Sequence, residues 1–200
     1  MDNENLIYVN TAKFFDKLAT NWDNISEALP KKLESLIEYC DINPDDKVLD
    51  IACGTGIIDG IILDKTNKEI VGIDLSNEMI NRAKEKYIGL NIRFQNTNFY
   101  YFDEKGFDKA IIFNAYPHFL DKEKLAKKLN SILKKNGTFV IMHDESADKI
   151  NSRHLGTKEV ERVSVPLQSA TLEAQYFVPY FDIIRIIDNE DMFFIMGKKK

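Results

Sequence analysis

Short apolar runs alternate with amphipathic stretches along the chain from Lys47 onward. The runs have the length of buried strands, whereas the stretches between them repeat their apolar residues with helical spacing. The predicted strands cover residues 48–51, 69–73, 92–94, 107–113 and 138–142, and the predicted helices cover residues 57–63, 77–87 and 122–134. Asn136-Gly137 is expected to end the last of these helices with a left-handed cap. This alternation predicts a parallel sheet with right-handed crossovers and helices on both faces.

The C-terminal part of the chain breaks this alternation. Residues 180–187 and 192–196 are both strand-like, and four residues, Asp188-Asn189-Glu190-Asp191, separate them. Such a short loop permits an antiparallel hairpin and leaves no room for a crossover helix. The sequence therefore predicts an α/β fold with a Rossmann-like, doubly wound, seven-stranded sheet that is mostly parallel and has one antiparallel strand near its C-terminal edge.

Composition narrows the class of protein. The 200 residues are 44% hydrophobic and 30% charged, which is typical of a globular chain. A net charge of −5 provides no basic field, so we expect no nucleic-acid partner. Cys40 and Cys53 are too few for a disulfide framework and indicate reduced thiols in the cytoplasm. No apolar run is long enough to span a bilayer, and the N-terminus lacks the pattern of a signal peptide, so no membrane association is expected.

A glycine-containing loop follows the first predicted strand, in the sequence Asp50-Ile51-Ala52-Cys53-Gly54-Thr55-Gly56. In a doubly wound sheet this turn lies where ligands bind, and glycines let the backbone pass close to a ligand. Asp74 ends the second strand, where a carboxylate can accept hydrogen bonds from ribose hydroxyls. The pattern therefore predicts a nucleoside-containing cofactor.

Two cofactors compete for this loop. The spacing of Gly54, Gly56 and Gly60 suits a nicotinamide dinucleotide, whereas S-adenosylmethionine (SAM) is the alternative. A carboxylate at Asp50 would repel a pyrophosphate but attract an ammonium group. SAM carries an ammonium and a sulfonium and no phosphate, so Asp50 favours SAM.

At this point the chain resembles the class I SAM-dependent methyltransferases, in particular the small-molecule branch that includes quinone-biosynthesis methyltransferases. VLDIACGTG matches the first motif of that family, VGIDLSNEMINRAKEK the second, and FDKAIIFNAYPHF with the later NGTFVIM the region of the fourth and fifth strands. The resemblance implies that the methionine part of SAM contacts Asp50, Ala52, Gly54, Gly56 and Asn114, that the ribose contacts Asp74, and that the adenine contacts Leu75, Asn98 and Phe99.

Two residues depart from the family pattern. Ala52 stands where the family usually has glycine, so the backbone there must either keep a negative φ or carry strain. Asn98 stands where the family usually has an aspartate that accepts from the adenine amino group. Asparagine can still accept through its carbonyl oxygen, so we expect weaker binding at this position.

The N-terminal helices carry several aromatic residues that could cover the cofactor. Phe14 and Leu18 are better explained as residues that pack a helix onto the sheet. Tyr8 and Trp22 are the candidates for the cofactor side, where an aromatic ring could contact the sulfonium by a cation–π interaction.

Three histidines mark the expected site of chemistry. His118 follows the fourth strand, His143 closes the fifth, and His154 lies just beyond, in a short helix that could fold over the site. Because the carboxyl ends of parallel strands form the ligand face, we expect His118 and His143 to open toward the methyl group. The three could act as general base or substrate contacts, could bind a divalent metal with Asp144 or Glu145, or could only hydrogen-bond within the lid.

These observations predict a single domain with a helical cap (1–45), a SAM-binding core (46–145), a lid or substrate segment (146–179) and a terminal hairpin (180–197). The expected activity is direct methyl transfer to a small-molecule acceptor by a monomer or homodimer. Two alternatives remain at this point: an NADP-type oxidoreductase, and a non-catalytic module that senses SAM or a metal.

Overall fold

The computed structural model describes residues 3–25, 30–154 and 163–200. Its seven strands form one sheet in the order β3-β2-β1-β4-β5-β7-β6, and the described chain divides into two compact units at Phe102. The parallel, doubly wound α/β fold predicted from the hydrophobic pattern is confirmed. None of the described helices combines the length and apolarity needed to cross a membrane.

The first unit contains three parallel strands and the helices that precede and connect them. The helices are α1 (Asn3–Leu18), α2 (Trp22–Ile25), α3 (Pro30–Glu38), α4 (Asp59–Leu63) and α5 (Asn77–Lys86), and the strands are β1 (Val48–Ile51), β2 (Ile70–Asp74) and β3 (Ile92–Asn96). Every residue of β1 is buried, as expected for an apolar strand covered on both faces. β2 pairs in parallel with both neighbours, in a register that places Asp50 opposite Gly72 and Asp74 opposite Asn96.

The second unit contains the other four strands. They are β4 (Phe107–Phe113), β5 (Leu133–His143), β6 (Phe181–Asp188) and β7 (Phe193–Lys199), and the helices are α6 (Lys122–Ile132), α7 (Ala147–His154) and α8 (Ala170–Glu173). β5 pairs in parallel with β4 and antiparallel with β7, and β7 pairs antiparallel with β6. Among the strands described, β7 is therefore the reversed one, next to the edge strand β6, as the short loop between them predicts.

Several boundaries differ from the sequence-based prediction. α4 begins at Asp59 rather than at residue 57, because a turn in which the Asp59 amide donates to the Gly56 carbonyl at 3.1 Å comes first. α6 ends at Ile132 rather than at residue 134. Asn136 does have the expected left-handed φ of 65°, but it lies inside β5, where the register against β4 is irregular. The expected helix cap is thus part of a bulge.

Candidate functional site

In the loop between β1 and α4, every second residue from Ala52 to Gly56 has a left-handed backbone conformation. Ala52, Gly54 and Gly56 have φ values of 57°, 56° and 76°. Glycine adopts this conformation without a steric penalty, but a residue with a Cβ is strained there, typically by about 1–2 kcal/mol. Of the two possibilities predicted for Ala52, the structure has the strained one. Strain of this kind is found at ligand-binding turns, where surrounding contacts hold the backbone in place.

Asp74 fixes the path of this loop. One carboxylate oxygen accepts from the Gly54 amide at 2.9 Å, and the other accepts from the Ser76 amide at 2.8 Å. Burial raises the pKa of Asp74 to about 6, although both of these hydrogen bonds oppose the rise. Each carboxylate oxygen has a second lone pair, so the carboxylate can still accept from ribose hydroxyls.

The adenine side predicted from the family resemblance also lies in the first unit. The Asn98 side-chain oxygen accepts from the Tyr100 amide at 2.9 Å and so caps the turn that buries Phe99. Leu75 is held from the next strand, because the side-chain amide of Asn96 donates to its carbonyl at 2.8 Å. Asn96 was not identified from the sequence, since a polar residue at a strand end carries no distinctive pattern.

Aromatic rings from the N-terminal helices reach the same region. A Cβ placed on Gly54 would lie 3.5 Å from the indole nitrogen of Trp22, so this indole lies against the glycine loop. Trp22 in turn contacts Phe15 edge-on, with ring centroids 5.6 Å apart. The Tyr8 ring lies 5.9 Å from that of Tyr100, beside the turn that Asn98 caps. Tyr8 and Trp22 therefore occupy positions compatible with the predicted cover, and their contact with the cofactor stays a prediction.

Two carboxylates hold these helices in place. Asp16 accepts from the Ser76 hydroxyl at 2.6 Å, at the start of α5. Asp23 forms an ion pair with Lys86 at 2.6 Å and accepts from the hydroxyl of Thr55, which lies between the two glycines of the loop. Burial acts to raise the pKa of Asp23, but the hydrogen bonds from Lys86 and Thr55 outweigh it and hold the pKa below its ordinary value.

A pair of buried carboxyl groups lies beneath the loop. Asp50 is the third residue of β1 and Asp59 begins α4, with exposed fractions of 1% and 0%. The two carboxyl groups interact, because a side-chain hydrogen bond between them affects the pKa of each. Within the described residues, no other group donates to any of their four oxygens. Asp59 was missed by the sequence analysis, and the signal that could have revealed it is a single acid in the apolar segment IIDGIIL.

The residues of the first unit fit SAM better than a dinucleotide. The Asp50 carboxyl lacks a donor from the rest of the described chain, so it can accept from an ammonium group, whereas it would repel a pyrophosphate. The backbone of Gly54 and Gly56 leaves the loop without side chains at two positions. Asp74, the carboxylate predicted to bind a ribose, lies against the loop, and so does the Trp22 indole.

The strand ends of the second unit hold another polar arrangement. Asn114 follows β4, is exposed and has a left-handed φ of 52°. Its side-chain amide donates to an Asp144 carboxylate oxygen at 2.8 Å, and its side-chain oxygen accepts from the Asp144 amide at 3.2 Å. This reciprocal pair joins the carboxyl ends of β4 and β5. It also holds Asn114 in a conformation that asparagine tolerates better than most residues.

The histidines differ in their surroundings. His143 is only 3% exposed and meets the Phe193 ring edge-on at 5.8 Å, so it is buried at its strand end. His118 is half-buried, and its Nδ1 lies 2.9 Å from the Val163 carbonyl oxygen. Because a carbonyl can only accept, Nδ1 carries the proton, and Nε2 is the basic nitrogen of the neutral ring. His154 ends α7, and its side chain lies outside the described residues.

The metal hypothesis gains no support from these positions. Among the side chains that the structure describes, no group of three histidine, cysteine, aspartate or glutamate residues could hold a metal ion. Asp144, a proposed partner of the histidines, is instead engaged by Asn114, and Glu145 pairs with Arg153. Among the described side chains, His118 and His143 therefore gain no support as metal ligands, and the side chain of His154 lies outside them.

A buried lysine, which the sequence analysis did not single out, lies close to His118 in the chain. The Lys122 ammonium donates to the Tyr116 carbonyl at 2.8 Å and lies 3.5 Å from the centre of the Tyr116 ring. Burial lowers the pKa of Lys122 to about 7, although Glu173 opposes the change. The Tyr116 hydroxyl donates to Glu173 at 2.7 Å. This buried network holds the turn that carries His118.

Comparison with known proteins agrees with the architecture and the loop. Residues 48–137 match the profile of a family described as a methyltransferase domain. A carboxy-S-adenosyl-L-methionine synthase of Nautilia profundicola is 33% identical over 64% of this chain and 60% of its own. A ubiquinone/menaquinone biosynthesis C-methyltransferase of Wigglesworthia glossinidia brevipalpis is 29% identical over 60% of this chain and 52% of its own. The chain thus spans a little over half the length of these curated relatives.

A solved structure supports the fold. The N-methyltransferase NodS of Bradyrhizobium japonicum, determined in complex with S-adenosyl-L-homocysteine, superimposes with a TM-score of 0.74 over 95% of this chain and 98% of its own, at 13% identity. The sheet order, the glycine loop and these matches together define a class I SAM-dependent methyltransferase fold. The resemblance drawn from the sequence motifs is confirmed, because residues 48–137 match the profile of a methyltransferase domain.

Proposed function

We propose that this protein binds SAM at the glycine loop and transfers its methyl group directly to a small-molecule acceptor. The observation that carries the proposal is the buried Asp50 carboxyl, which has no donor from the described chain other than Asp59 and lies beside a loop with left-handed backbone. Such a carboxyl favours a cationic ligand and disfavours a phosphate. The methyltransferase-domain match supports the same conclusion.

Each residue of the loop region has a distinct part in holding the cofactor, which supplies an activated methyl group on a cationic sulfur. Asp50 attracts the α-ammonium, and Asp74 accepts from the ribose hydroxyls. Trp22 places an aromatic ring beside the loop, and aromatic rings stabilise positive charge. The family resemblance assigns Ala52, Gly54, Gly56 and Asn114 to the methionine part and Leu75, Asn98 and Phe99 to the adenine. Methyl transfer then depends mainly on proximity and orientation.

The acceptor must lose a proton when its nucleophile is a hydroxyl, thiol or protonated amine. His118 is the histidine best prepared for this task, because its Nδ1 proton is held by the Val163 carbonyl and Nε2 is left with a lone pair. His143 is the second candidate for base or substrate contact, and Phe193 holds its ring from the side. His154 contacts the substrate from the lid segment in this proposal.

A small acceptor is favoured by charge and by the relatives. A chain with net charge −5 has no overall field that would hold a nucleic acid. The Wigglesworthia relative is named for ubiquinone and menaquinone biosynthesis. We further propose a single domain with the cap, core, lid and hairpin divisions given above. It would act as a monomer or homodimer in the cytoplasm, where the buried thiols of Cys40 and Cys53 would stay reduced.

Isothermal titration calorimetry with S-adenosylhomocysteine tests the cofactor assignment. We expect saturable binding by the wild type and a loss of about 10-fold or more in affinity for Asp50→Asn, since hydrogen bonds to charged groups contribute roughly 1.5–3 kcal/mol. Asp64→Asn, which changes an exposed acid after α4, is the matched control and should bind as the wild type does. Binding of NADP⁺ in place of S-adenosylhomocysteine would overturn the proposal in favour of an oxidoreductase.

A further inference from the structure

The buried pair Asp50 and Asp59 affects how many protons the site holds. Asp50 and Asp59 are shielded from water, and the remainder of the described chain gives no hydrogen-bond donor to either carboxyl. Two ionised carboxylates at hydrogen-bond distance repel each other strongly in a medium of low dielectric constant. One proton between the two carboxyls relieves this repulsion, because the protonated oxygen becomes the donor that the other carboxylate lacks.

The charged and titratable groups around the pair do not neutralise it. Lys86 is the cation that acts on Asp59, but its ammonium is bound by Asp23. The Tyr87 hydroxyl donates to the Gly56 carbonyl at 2.6 Å and accepts from the Gly60 amide at 3.0 Å. The other titratable groups that act on this region are the carboxylate of Asp74 and the thiol of Cys53, and Asp74 adds further negative charge.

The titration of the pair agrees with its geometry. Burial, and then the charge of Asp59, raise the pKa of Asp50 well above its ordinary value. Burial raises the pKa of Asp59 to about 7, although the hydrogen bond with Asp50 and the charge of Lys86 oppose the rise. Two groups that interact this strongly lose their protons as a unit. At neutral pH the pair therefore retains a proton that two exposed aspartates would have lost.

We propose that Asp50 and Asp59 share one proton in the free protein, and that Asp59 takes this proton when a cationic group binds against Asp50. In the transfer an O–H bond of Asp50 breaks and an O–H bond of Asp59 forms, with no other change in bonding. The pair keeps a single negative charge throughout, and that charge moves to the carboxyl that contacts the cation. The second half of this proposal rests on the proposed function, whereas the shared proton does not.

Asp59 is thus a positioning residue that acts through Asp50. Its place also ties it to the loop, because a Cβ on Gly56 would lie 2.9 Å from a carboxylate oxygen of Asp59. An asparagine at position 59 would donate permanently to Asp50 and keep that carboxylate ionised. An alanine would leave Asp50 alone in a buried environment, where it must release its proton to solvent before it can pair with a cation.

The shared proton can be tested without any ligand, by urea unfolding of the full chain between pH 5 and 8. A carboxyl whose pKa is raised in the folded state binds its proton more tightly there than in the unfolded chain. Wild-type stability should therefore fall as pH rises from the ordinary aspartate pKa of 3.8 toward about 7. Asp59→Asn should reduce the slope of unfolding free energy against pH by the amount that corresponds to about one bound proton. Asp64→Asn should leave this slope unchanged. A wild-type slope in Asp59→Asn would overturn the shared proton.

Proton transfer within the pair is tested by titration of S-adenosylhomocysteine at pH 7 in buffers of different ionisation enthalpy. The wild type and Asp59→Asn should bind with almost no net proton release, and with affinities within about threefold of each other. Asp59→Ala should release a proton on binding, and its affinity should fall as the pH is lowered. If Asp59→Ala does not fold, substantial proton release by the wild type overturns the transfer by itself.

The two proposals fail in different ways. Wild-type protein that does not bind S-adenosylhomocysteine contradicts the proposed function, while the unfolding experiment still decides whether the proton is shared. If the wild type and Asp59→Ala both bind and release the same number of protons on binding, the role of Asp59 is contradicted. The cofactor assignment is then left intact.

Discussion

Ala52 is one residue of the glycine loop whose side chain opposes its backbone conformation. Its φ of 57° places the Cβ where only glycine is unstrained. Ala52→Gly removes that strain but adds freedom to the unfolded chain, and the two effects partly cancel. We expect a rise of up to about 1 kcal/mol in the free energy of unfolding, measured by urea denaturation with an unchanged m-value. A loss of stability would show that contacts of the methyl group outweigh the strain.

Asp74 is the residue whose substitution should most directly weaken binding of the ribose. Both of its oxygens accept backbone hydrogen bonds, so Asp74→Asn replaces one acceptor by a donor that faces an amide. The affinity for S-adenosylhomocysteine should fall by about 10- to 100-fold, as expected for a hydrogen bond to a charged group. Glu69→Gln is the control, because Glu69 is exposed and directly precedes the same strand. Equal affinities for Asp74→Asn and the control would exclude Asp74 as a ribose ligand.

The position of the ring proton on Nδ1 of His118 predicts how substitution of this residue changes the reaction rate and its pH dependence. With Nδ1 held by a carbonyl, Nε2 can accept a proton from the acceptor only while the ring is neutral. His118→Asn should lower kcat/KM by about 10²–10⁴-fold and abolish the fall in rate on the acidic side of the pH profile. The comparison is His143→Asn. If that variant alone loses the acidic limb of the profile, His143 is the base.

At the scale of elements, α2 is attached to the glycine loop and to α5 by one carboxylate. Asp23 contacts Thr55 and Lys86, and its neighbour Trp22 lies against Gly54. Asp23→Ala should release this attachment, with a stability loss of at most about 1 kcal/mol because the ion pair is partly exposed. Trp22 is the only tryptophan in the sequence, so acrylamide quenching of its fluorescence should increase. Asp45→Ala, which removes the exposed pair with Lys68, should leave quenching unchanged.

The elements differ in how well the sequence predicted them. β1 and β4 are mostly apolar and almost wholly buried segments between turns, and their predicted bounds coincide with the observed ones because burial on both faces favours a continuous apolar segment. The end of α6 was placed too late because Asn136-Gly137 suits a helix cap and a bulge equally well. Local sequence does not distinguish them, since the pairing with β4 decides.

The residues of the candidate site also differ in whether the sequence could identify them. Asp50, Gly54, Gly56 and Asp74 stand in a motif whose spacing along the chain is meaningful, so sequence alone could identify them. Contacts between distant segments could not be found in this way. Asp23 meets Thr55 across 32 positions and Asp16 meets Ser76 across 60, and neither acid belongs to a motif. Asp59 is intermediate, because an acid within an apolar segment is unusual but its partner is unknown until the chain folds.

At the scale of the whole molecule, the pH dependence of stability should be set by buried acids rather than by surface charge. Asp50, Asp59 and Asp74 all have pKa values raised by burial. Each binds its proton more tightly in the folded chain, so each makes stability decline as pH rises through its window. Proteins dominated by salt-bridged carboxylates lose stability in the opposite direction, as pH falls. A measurement of the free energy of unfolding between pH 5 and 7 therefore shows whether buried acids or salt-bridged carboxylates dominate the pH dependence.

The position of β7 has a consequence for how this chain can be made. β7 follows β6 in sequence but lies between β5 and β6 in the sheet, and within the described residues β6 pairs with no other strand. While a ribosome is still adding residues 193–199, β6 has two open edges with Ile184 and Ile186 on its surface, and one edge of β5 is bare. Open strand edges bind other chains. The pairing of β7 thus separates a nascent chain with open strand edges on β5 and β6, which is prone to aggregate, from one in which β7 covers an edge of each.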